Sequence, residues 1–322
     1  MIVITGGAGF IGSALVAHLN QHSVKDILVV DNLGTSEKWR NLAGKQISDY
    51  LHKDQFLKLV ESNSIASIKA IVHLGACSST TETDADYMLR NNYQYSKILA
   101  QFALKTKIRF IYASSAATYG AGEFGFEDSE QTALQLRPLN VYALSKQLLD
   151  LWAIQTGAIE QIVGLKFFNV YGPNEYHKQD MRSVVLKSFE QIQSTGKVSL
   201  FKSYRPDFGD GEQKRDFVYV KDCCEAIYQL LNRTEINGIY NLGSGNARSW
   251  KDLVSAVFSA LGKQTNIEFI DMPEQLKPKY QYFTEAKMEK LSSRLGSLSL
   301  CSLEEAVRDY VQNYLLKDKS HF

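Results

Sequence analysis

The sequence predicts an α/β fold: a doubly wound parallel sheet that carries a second, smaller α/β domain. Three observations predict it. Short apolar runs of strand length recur at Ile2-Val3-Ile4, Ile27-Leu28-Val29-Val30, Ala70-Ile71-Val72-His73-Leu74, Arg109-Phe110-Ile111-Tyr112-Ala113 and Val163-Gly164-Leu165-Lys166-Phe167-Phe168. Segments of helical period separate them, the βαβ rhythm of a parallel sheet. The first run leads directly into Gly6-x-x-Gly9-x-x-Gly12 and then into Ile11, Leu15 and Leu19 at helical spacing.

In that turn Gly6 and Gly9 let the backbone bend tightly and approach a pyrophosphate. Gly12 lets the helix pack closely on the sheet. The helix N-terminus offers unpaired N–H groups to phosphates. The second run ends in Asp31, the acid that ribose hydroxyls need about 20 residues on. The unit reads as the start of a Rossmann-type dinucleotide-binding domain. A carboxylate at that tip argues for NAD. Lys38 and Lys53 pull the other way, because either suits a ribose 2′-phosphate and either suits a solvated surface. The residues alone leave NAD and NADP open.

Further on, residues 54–63 read as a helix and 84–106 as one long amphipathic helix containing Asn91 and Asn92. His73 reads as a satisfied core residue. The small residues Gly75 to Thr81, after the third run, fit the ligand crevice at the carboxyl end of a parallel strand. The fourth run delivers Ser114 and Ser115 to the same crevice. Pro138 and Asn140 suit a helix start, with Val141, Leu144, Leu148 and Leu151 as its core stripe. Tyr142 and Lys146, four apart, then share another face. An ammonium beside a phenol lowers the phenol's pKa, which makes tyrosine usable as acid or base near neutrality. Ser115 can bond the same substrate oxygen. Gly172-Pro173 ends the regular pattern. Residues 171–213 read as a substrate lid, with a helix from about Met181 to Thr195 and a loop over 199–213. Asp222 is expected to cap a helix to Leu231, with Cys223 and Cys224 in core packing. Tyr280, Tyr282 and Arg215 are expected to face the cleft. Pro273 and Pro278 mark a loop, 302–316 a closing helix, and the last six residues a frayed end.

The chain has 322 residues, 44% of them hydrophobic and 22% charged, with a net charge of +1. That balance gives no reason to expect nucleic acid or an acidic membrane surface. No apolar run suits a bilayer span, and the first strand leaves no room for a signal peptide. Cys77, Cys223, Cys224 and Cys301 form no CxxC pair, so reduced thiols in a cytoplasm and no metal are expected. The expected division is a cofactor domain of 1–170 plus 214–245 and a substrate-binding domain of 171–213 plus 246–322.

The stretches TGGAGFIG, YASSAATYG, Tyr142 with Lys146, FFNVYGP, RDFVYVKD and YNLGSG together resemble the extended short-chain dehydrogenase/reductase family of epimerases and dehydratases. A narrower set is similar to its members that invert C6 of an ADP-linked heptose: Gly75 to Glu82, Asn91 to Lys97, Asn169 to Pro173 with Glu175, His177 and Lys178, and LKPKYQYFT. That resemblance implies a cytoplasmic homo-oligomer, typically a pentamer, with tightly bound NADP. It implies epimerisation of ADP-D-glycero-β-D-manno-heptose to the L-glycero form for the lipopolysaccharide inner core. It assigns cofactor contacts, besides the three glycines, to Phe10, Ile11, Asp31, Asn32, Lys38, Lys53, Leu74, Gly75, Ala76, Cys77, Ser78, Asn91, Lys146, Val170 and Lys178. It assigns substrate contacts to Ser115, Asn169, Phe201, Lys202, Ser203, Tyr204, Arg215 and Tyr280. Asp180 and Lys187 replace a small polar residue and a histidine of the pattern in the expected substrate pocket, and the stretch around Pro206 to Gly211 is longer.

The hydrogen at C6 of such a heptose is unactivated, so oxidation and reversal by the cofactor is expected instead of proton abstraction. Two faces need two acid/base groups: Tyr142, helped by Lys146, and, by resemblance, Lys178. The rivals are another sugar-nucleotide epimerase or a 4,6-dehydratase, and a non-catalytic NADP-binding regulator. Ser115-Ala116-Ala117-Thr118 lacks the carboxylates a dehydratase needs there. The intact Ser115, Tyr142 and Lys146 argue against the regulator.

Overall fold

A computed structural model describes residues 1–277, 280–296 and 298–322. Pro278, expected in a loop, therefore lies outside the described residues. The strands are β1 (Ile2–Thr5), β2 (Ile27–Asp31), β3 (Asp49–His52), β4 (Ala70–His73), β5 (Arg109–Ser115), β6 (Val163–Phe167), β7 (Asn169–Tyr171), β8 (Val198–Phe201), β9 (Lys214–Tyr219), β10 (Gly238–Leu242), β11 (Ala247–Ser249) and β12 (Ile267–Ile270). The helices are α1 (Phe10–Gln21), α2 (Lys53–Glu61), α3 (Ala85–Met88), α4 (Tyr95–Thr106), α5 (Glu130–Gln135), α6 (Val141–Gln155), α7 (Val184–Thr195), α8 (Val220–Asn232), α9 (Trp250–Ala260), α10 (Glu289–Leu295) and α11 (Leu303–Tyr310).

Seven strands form one parallel sheet in the order β10-β6-β5-β4-β1-β2-β3. The order reverses between β1 and β4, so the carboxyl ends of those two strands open a crevice. Alternation along each strand feeds two cores. Ile4, Val29, Val72 and Ile111 join one core with α1 and α8. Val3, Leu28, Val30, Ile71 and Phe110 join the other with α2 and α4. The expected doubly wound α/β architecture is the one observed. A smaller layer holds β7, β9 and β11 as one sheet and β8 with β12 as another.

Several local expectations need correction. The helix over 84–106 is interrupted by a π-helical segment at Leu89–Gln94. Residues 198–201 are a strand paired with β12, not the start of a loop. α7 starts at Val184 and buries Val185, Leu186, Phe189 and Ile192, so the centre of 171–213 is packed lobe and not a detachable lid. Asp222 caps nothing: it sits in the first turn of α8 and accepts from the Cys301 amide at 3.0 Å. Cys223 and Cys224 are free and fully buried, as expected. The stripe of α6 is reversed. Leu144 is 39% exposed, while Ala143, Lys146, Gln147, Asp150 and Ala153 face inward. The central strands this helix covers, β5 and its neighbour β6, carry Tyr112, Ser114 and Lys166, which bond Asp150, so its buried face is polar too. The last residues are docked and not frayed: the Phe322 amide donates to Asn174 Oδ1 at 2.9 Å and Tyr176 donates to the Ser320 carbonyl at 2.8 Å.

Candidate active site

The turn after β1 and the loop after β4 meet at the switch point. A Cβ on Gly12 would stand 2.1 Å from the Gly6 carbonyl oxygen. Gly6 has φ +68°, and a Cβ there would stand 2.6 Å from the Gly75 nitrogen. Only glycine allows the α1 N-terminus to lie this close to both loops.

Asp31 ends β2 with both oxygens engaged. Oδ2 accepts from the Ala8 amide at 2.9 Å. Oδ1 accepts from the Asn32 amide at 2.7 Å and from Lys38 Nζ at 2.8 Å. Lys53 Nζ donates to Asn91 Oδ1 at 2.6 Å. The π segment explains why two consecutive asparagines both serve the site. Asn91 turns to Lys53, while Asn92 clamps the β4 loop by bonding Cys77 N at 2.8 Å and Cys77 O at 2.9 Å. A pocket of about 180 Å³ collects Asp31, Asn32, Lys38, Lys53 and Asn91 with Gly75 to Cys77. A cleft of about 510 Å³ continues past Gly9, Phe10, Ile11, Gly12 and Leu74 to Ser115, Tyr142, Lys146, Val170 and Lys178. Every residue expected to touch the cofactor lines one of the two. A glycine turn at a helix N-terminus, a carboxylate at the strand tip and an elongated crevice fit a dinucleotide.

Ser115, Tyr142 and Lys178 also line a second cleft of about 350 Å³ on the side of the smaller lobe. The Tyr142 hydroxyl faces the Ser115 side chain, and Ser115 Oγ accepts from the Ala117 amide at 3.1 Å. Lys146 Nζ donates to the Ala113 carbonyl at 2.8 Å. This corrects the expected phenol–ammonium pair. Burial raises the Tyr142 pKa, the Ser115 side chain opposes it only in part, and no lysine acts on it directly. Burial also pulls Lys146 down to about 8, with Asp150 partly restoring it. Lys178 is lowered by burial and partly restored by Glu175.

The substrate-side expectations divide. Asn169 lines the outer cleft. Arg215 and Tyr280 do not: Arg215 is buried with its guanidinium 5.4 Å from the Tyr280 ring and 5.8 Å from the Trp250 ring. Tyr204 donates to Asp271 at 3.1 Å, and Lys202 pairs with the same carboxylate at 3.1 Å. Lys202 and Tyr204 thus share Asp271, while Arg215 and Tyr280 form a basic, aromatic cluster with Trp250. Asp180 and Lys187 lie outside both clefts, because Lys187 Nζ turns to the Asp180 carbonyl at 2.6 Å. Sequence reasoning missed Arg182, Trp250 and Gln281, which line the outer cleft. Gln281 sits between Tyr280 and Tyr282, so alternation along an extended segment was the available signal.

The model for the NAD dependent epimerase/dehydratase family matches residues 2–243. A protein of Nitratidesulfovibrio vulgaris (strain DP4) called ADP-L-glycero-D-manno-heptose-6-epimerase is 53% identical, over 98% of each chain. One of the same name from Fusobacterium nucleatum is 49% identical over the full length of both. The crystal structure of Helicobacter pylori ADP-L-glycero-D-manno-heptose-6-epimerase superposes with a TM-score of 0.82 at 30% identity, covering 97% of this chain and 95% of that one.

Proposed function

The chain belongs to the NAD dependent epimerase/dehydratase family, and we propose that within it the chain inverts C6 of ADP-D-glycero-β-D-manno-heptose to give the L-glycero epimer. The observation that carries this reading is the convergence of Ser115, Tyr142 and Lys178 on the wall shared by the two clefts. The likeness to the named epimerases supports the substrate.

A nicotinamide cofactor, when bound, supplies the acceptor and donor of hydride. The chain's residues do the rest. The residues of the inner cleft would hold the dinucleotide, and the glycine turn at the N-terminus of α1 would offer its amides to the phosphates. Ser115 and Tyr142 meet the substrate oxygen at C6, and Tyr142, once its own proton has passed to solvent, takes the hydroxyl proton as the carbinol becomes a ketone. Lys178 approaches from the Tyr176–Met181 turn and returns a proton when the other face of the ketone is reduced. No net redox change results. The basic, aromatic cluster around Arg215 would take the ADP end. Burial lowers Arg215 only to about 10, so it remains a cation at neutral pH.

Lys38 and Lys53 support NADP as the cofactor, despite Asp31. Its carboxylate is neutralised by Lys38, and Lys53 stands across the pocket, so a 2′-phosphate meets two ammonium groups instead of a free acid. A homo-oligomer, a pentamer by the family resemblance, is part of this reading, and exposed Leu134, Leu139 and Leu144 leave apolar side chains available for a contact between copies. Among the described residues no helix is long and apolar enough to cross a membrane. A cytoplasmic place for the reaction accords with the reduced thiols.

Proton NMR of ADP-D-glycero-β-D-manno-heptose turned over in D₂O tests the reading. Conversion to the L-glycero epimer without deuterium at C6 is expected. Deuterium at C6 would overturn the redox route. No conversion by cofactor-loaded protein would move the assignment to another sugar nucleotide.

A further inference from the structure

A cluster at the far end of α1 takes no part in the chemistry above. His18 and His22 stand one turn apart on α1, and Glu225 on α8 meets them across the helix pair. One ligand atom from each of the three lies within 4.8 Å of the others. His18 Nε2 is 3.1 Å from Glu225 Oε2. His22 Nδ1 is 2.9 Å from the His18 carbonyl oxygen, which can only accept. That bond puts the His22 proton on Nδ1 and leaves the Nε2 lone pair free. Gln229 donates to Glu225 Oε1 at 2.9 Å, so Oε2 is the oxygen turned to the histidines. The Tyr228 ring, 4.1 Å from the His22 ring, walls one side. His18 is buried and His22 exposed, so the other side opens to water.

We propose that His18, His22 and Glu225 form a binding site for a divalent late first-row transition cation, with Zn²⁺ as its probe. Two imidazoles and one carboxylate are a donor set zinc uses with water in its open position. Imidazoles select against Mg²⁺ and Ca²⁺, which take oxygen ligands. Metal bonds of about 2.0–2.1 Å put tetrahedral ligands roughly 3.3 Å apart. The His18–Glu225 pair already has nearly that spacing, and the exposed His22 closes the remainder by side-chain rotation. The cation replaces the His18–Glu225 hydrogen bond, and the His18 proton passes to Nδ1. The ion would tie α1, which presents the glycine turn, to α8, 207 residues further along the chain.

The test uses untagged, metal-stripped protein with its cofactor retained. Equilibrium dialysis against Zn²⁺ at 1–100 µM (roughly the range of weak protein sites) should give one ion per chain. It should raise Tm by a few degrees, about what 1 kcal/mol of ligand stabilisation gives in a domain of this size. Co²⁺ should show the visible d–d bands of a site with nitrogen ligands. His22→Ala and Glu225→Gln should each weaken binding at least 10-fold without changing zinc-free turnover. Retention of full binding by either variant, or no bound zinc at 100 µM, would overturn the proposal.

Discussion

Asp150 Oδ2 and Lys166 Nζ lie 2.6 Å apart, with side chains 0% and 1% exposed. Asp150 also accepts from Ser114 at 2.7 Å and from Tyr112 at 2.9 Å. Lys166 also donates to Thr118 at 2.8 Å. One carboxylate thus joins α6, β5 and β6 directly beneath Ser115 and Lys146. Removing one partner leaves a buried charge uncompensated, which costs about 3–5 kcal/mol. Asp150→Asn should therefore lower unfolding free energy by that amount in urea titration. Pairing it with Lys166→Met should recover more than half. A loss below about 1 kcal/mol for the single variant would mean that water reaches the pair.

This pair also shows why part of the site was hidden in the sequence. The glycine turn, Asp31, Lys38, Lys53 and the Tyr142/Lys146 spacing were legible because local chain geometry fixes them. Lys166 was not: it stands inside the apolar run Val163 to Phe168, and only a third element supplies its carboxylate. The stripe of α6 misled for the same reason. Leu144, Leu148 and Leu151 have helical period, but tertiary contacts made the polar side of that helix the buried one. The π segment at Leu89–Gln94 leaves no mark in periodicity, so the two roles of Asn91 and Asn92 appear only in three dimensions.

Tyr142→Phe removes the only hydroxyl on α6 that faces both clefts with Ser115. General acid–base catalysis is worth about 10²–10⁴-fold. Turnover should fall within that range while cofactor absorbance stays with the purified protein. A loss under 10-fold would transfer the proton-transfer role away from Tyr142.

Lys53→Ala should discriminate between the two dinucleotides. A hydrogen bond to a charged group is worth about 1.5–3 kcal/mol, or roughly 10–150-fold in affinity. NADP binding should weaken by that factor and NAD binding by less than threefold, read by fluorescence titration of stripped protein. Equal losses for both would place Lys53 away from the ribose phosphate.

His73 sets an acid limit. Its Nδ1 lies 2.6 Å from Thr5 Oγ1 and its Nε2 2.6 Å from Ser96 Oγ. Burial first, and the Lys146 charge second, lower its pKa to about 3. The unfolded chain keeps the ordinary 6.5. Between those values the unfolded state binds the extra proton, so stability falls as pH falls from 6.5 toward 3. The slope approaches 1.4 kcal/mol per pH unit for one proton. His177, held near 4 mainly by burial, adds its own share over a narrower window. His73→Gln keeps polar partners for both hydroxyls without a titrating ring, and it should flatten the decline by about one proton's slope. An unchanged slope would assign the acid sensitivity elsewhere.

The residue after Lys178 carries visible strain. Gln179 has φ +48° and ψ −121°, a conformation L residues rarely hold. Arg182 stabilises it, since its Nε donates to the Gln179 carbonyl at 2.7 Å and its backbone amide does so at 3.2 Å. Backbone strain of this kind costs about 1–3 kcal/mol. Glycine relieves it but loses about 0.5–1 kcal/mol through a freer unfolded chain. Gln179→Gly should then be neutral to stabilising by up to about 2 kcal/mol, with Tm unchanged or raised. The same change frees the turn that aims Lys178, so kcat should fall more than KM changes. A lowered Tm would mean the strained turn is held at no cost, and an unchanged kcat would mean Lys178 does not depend on it.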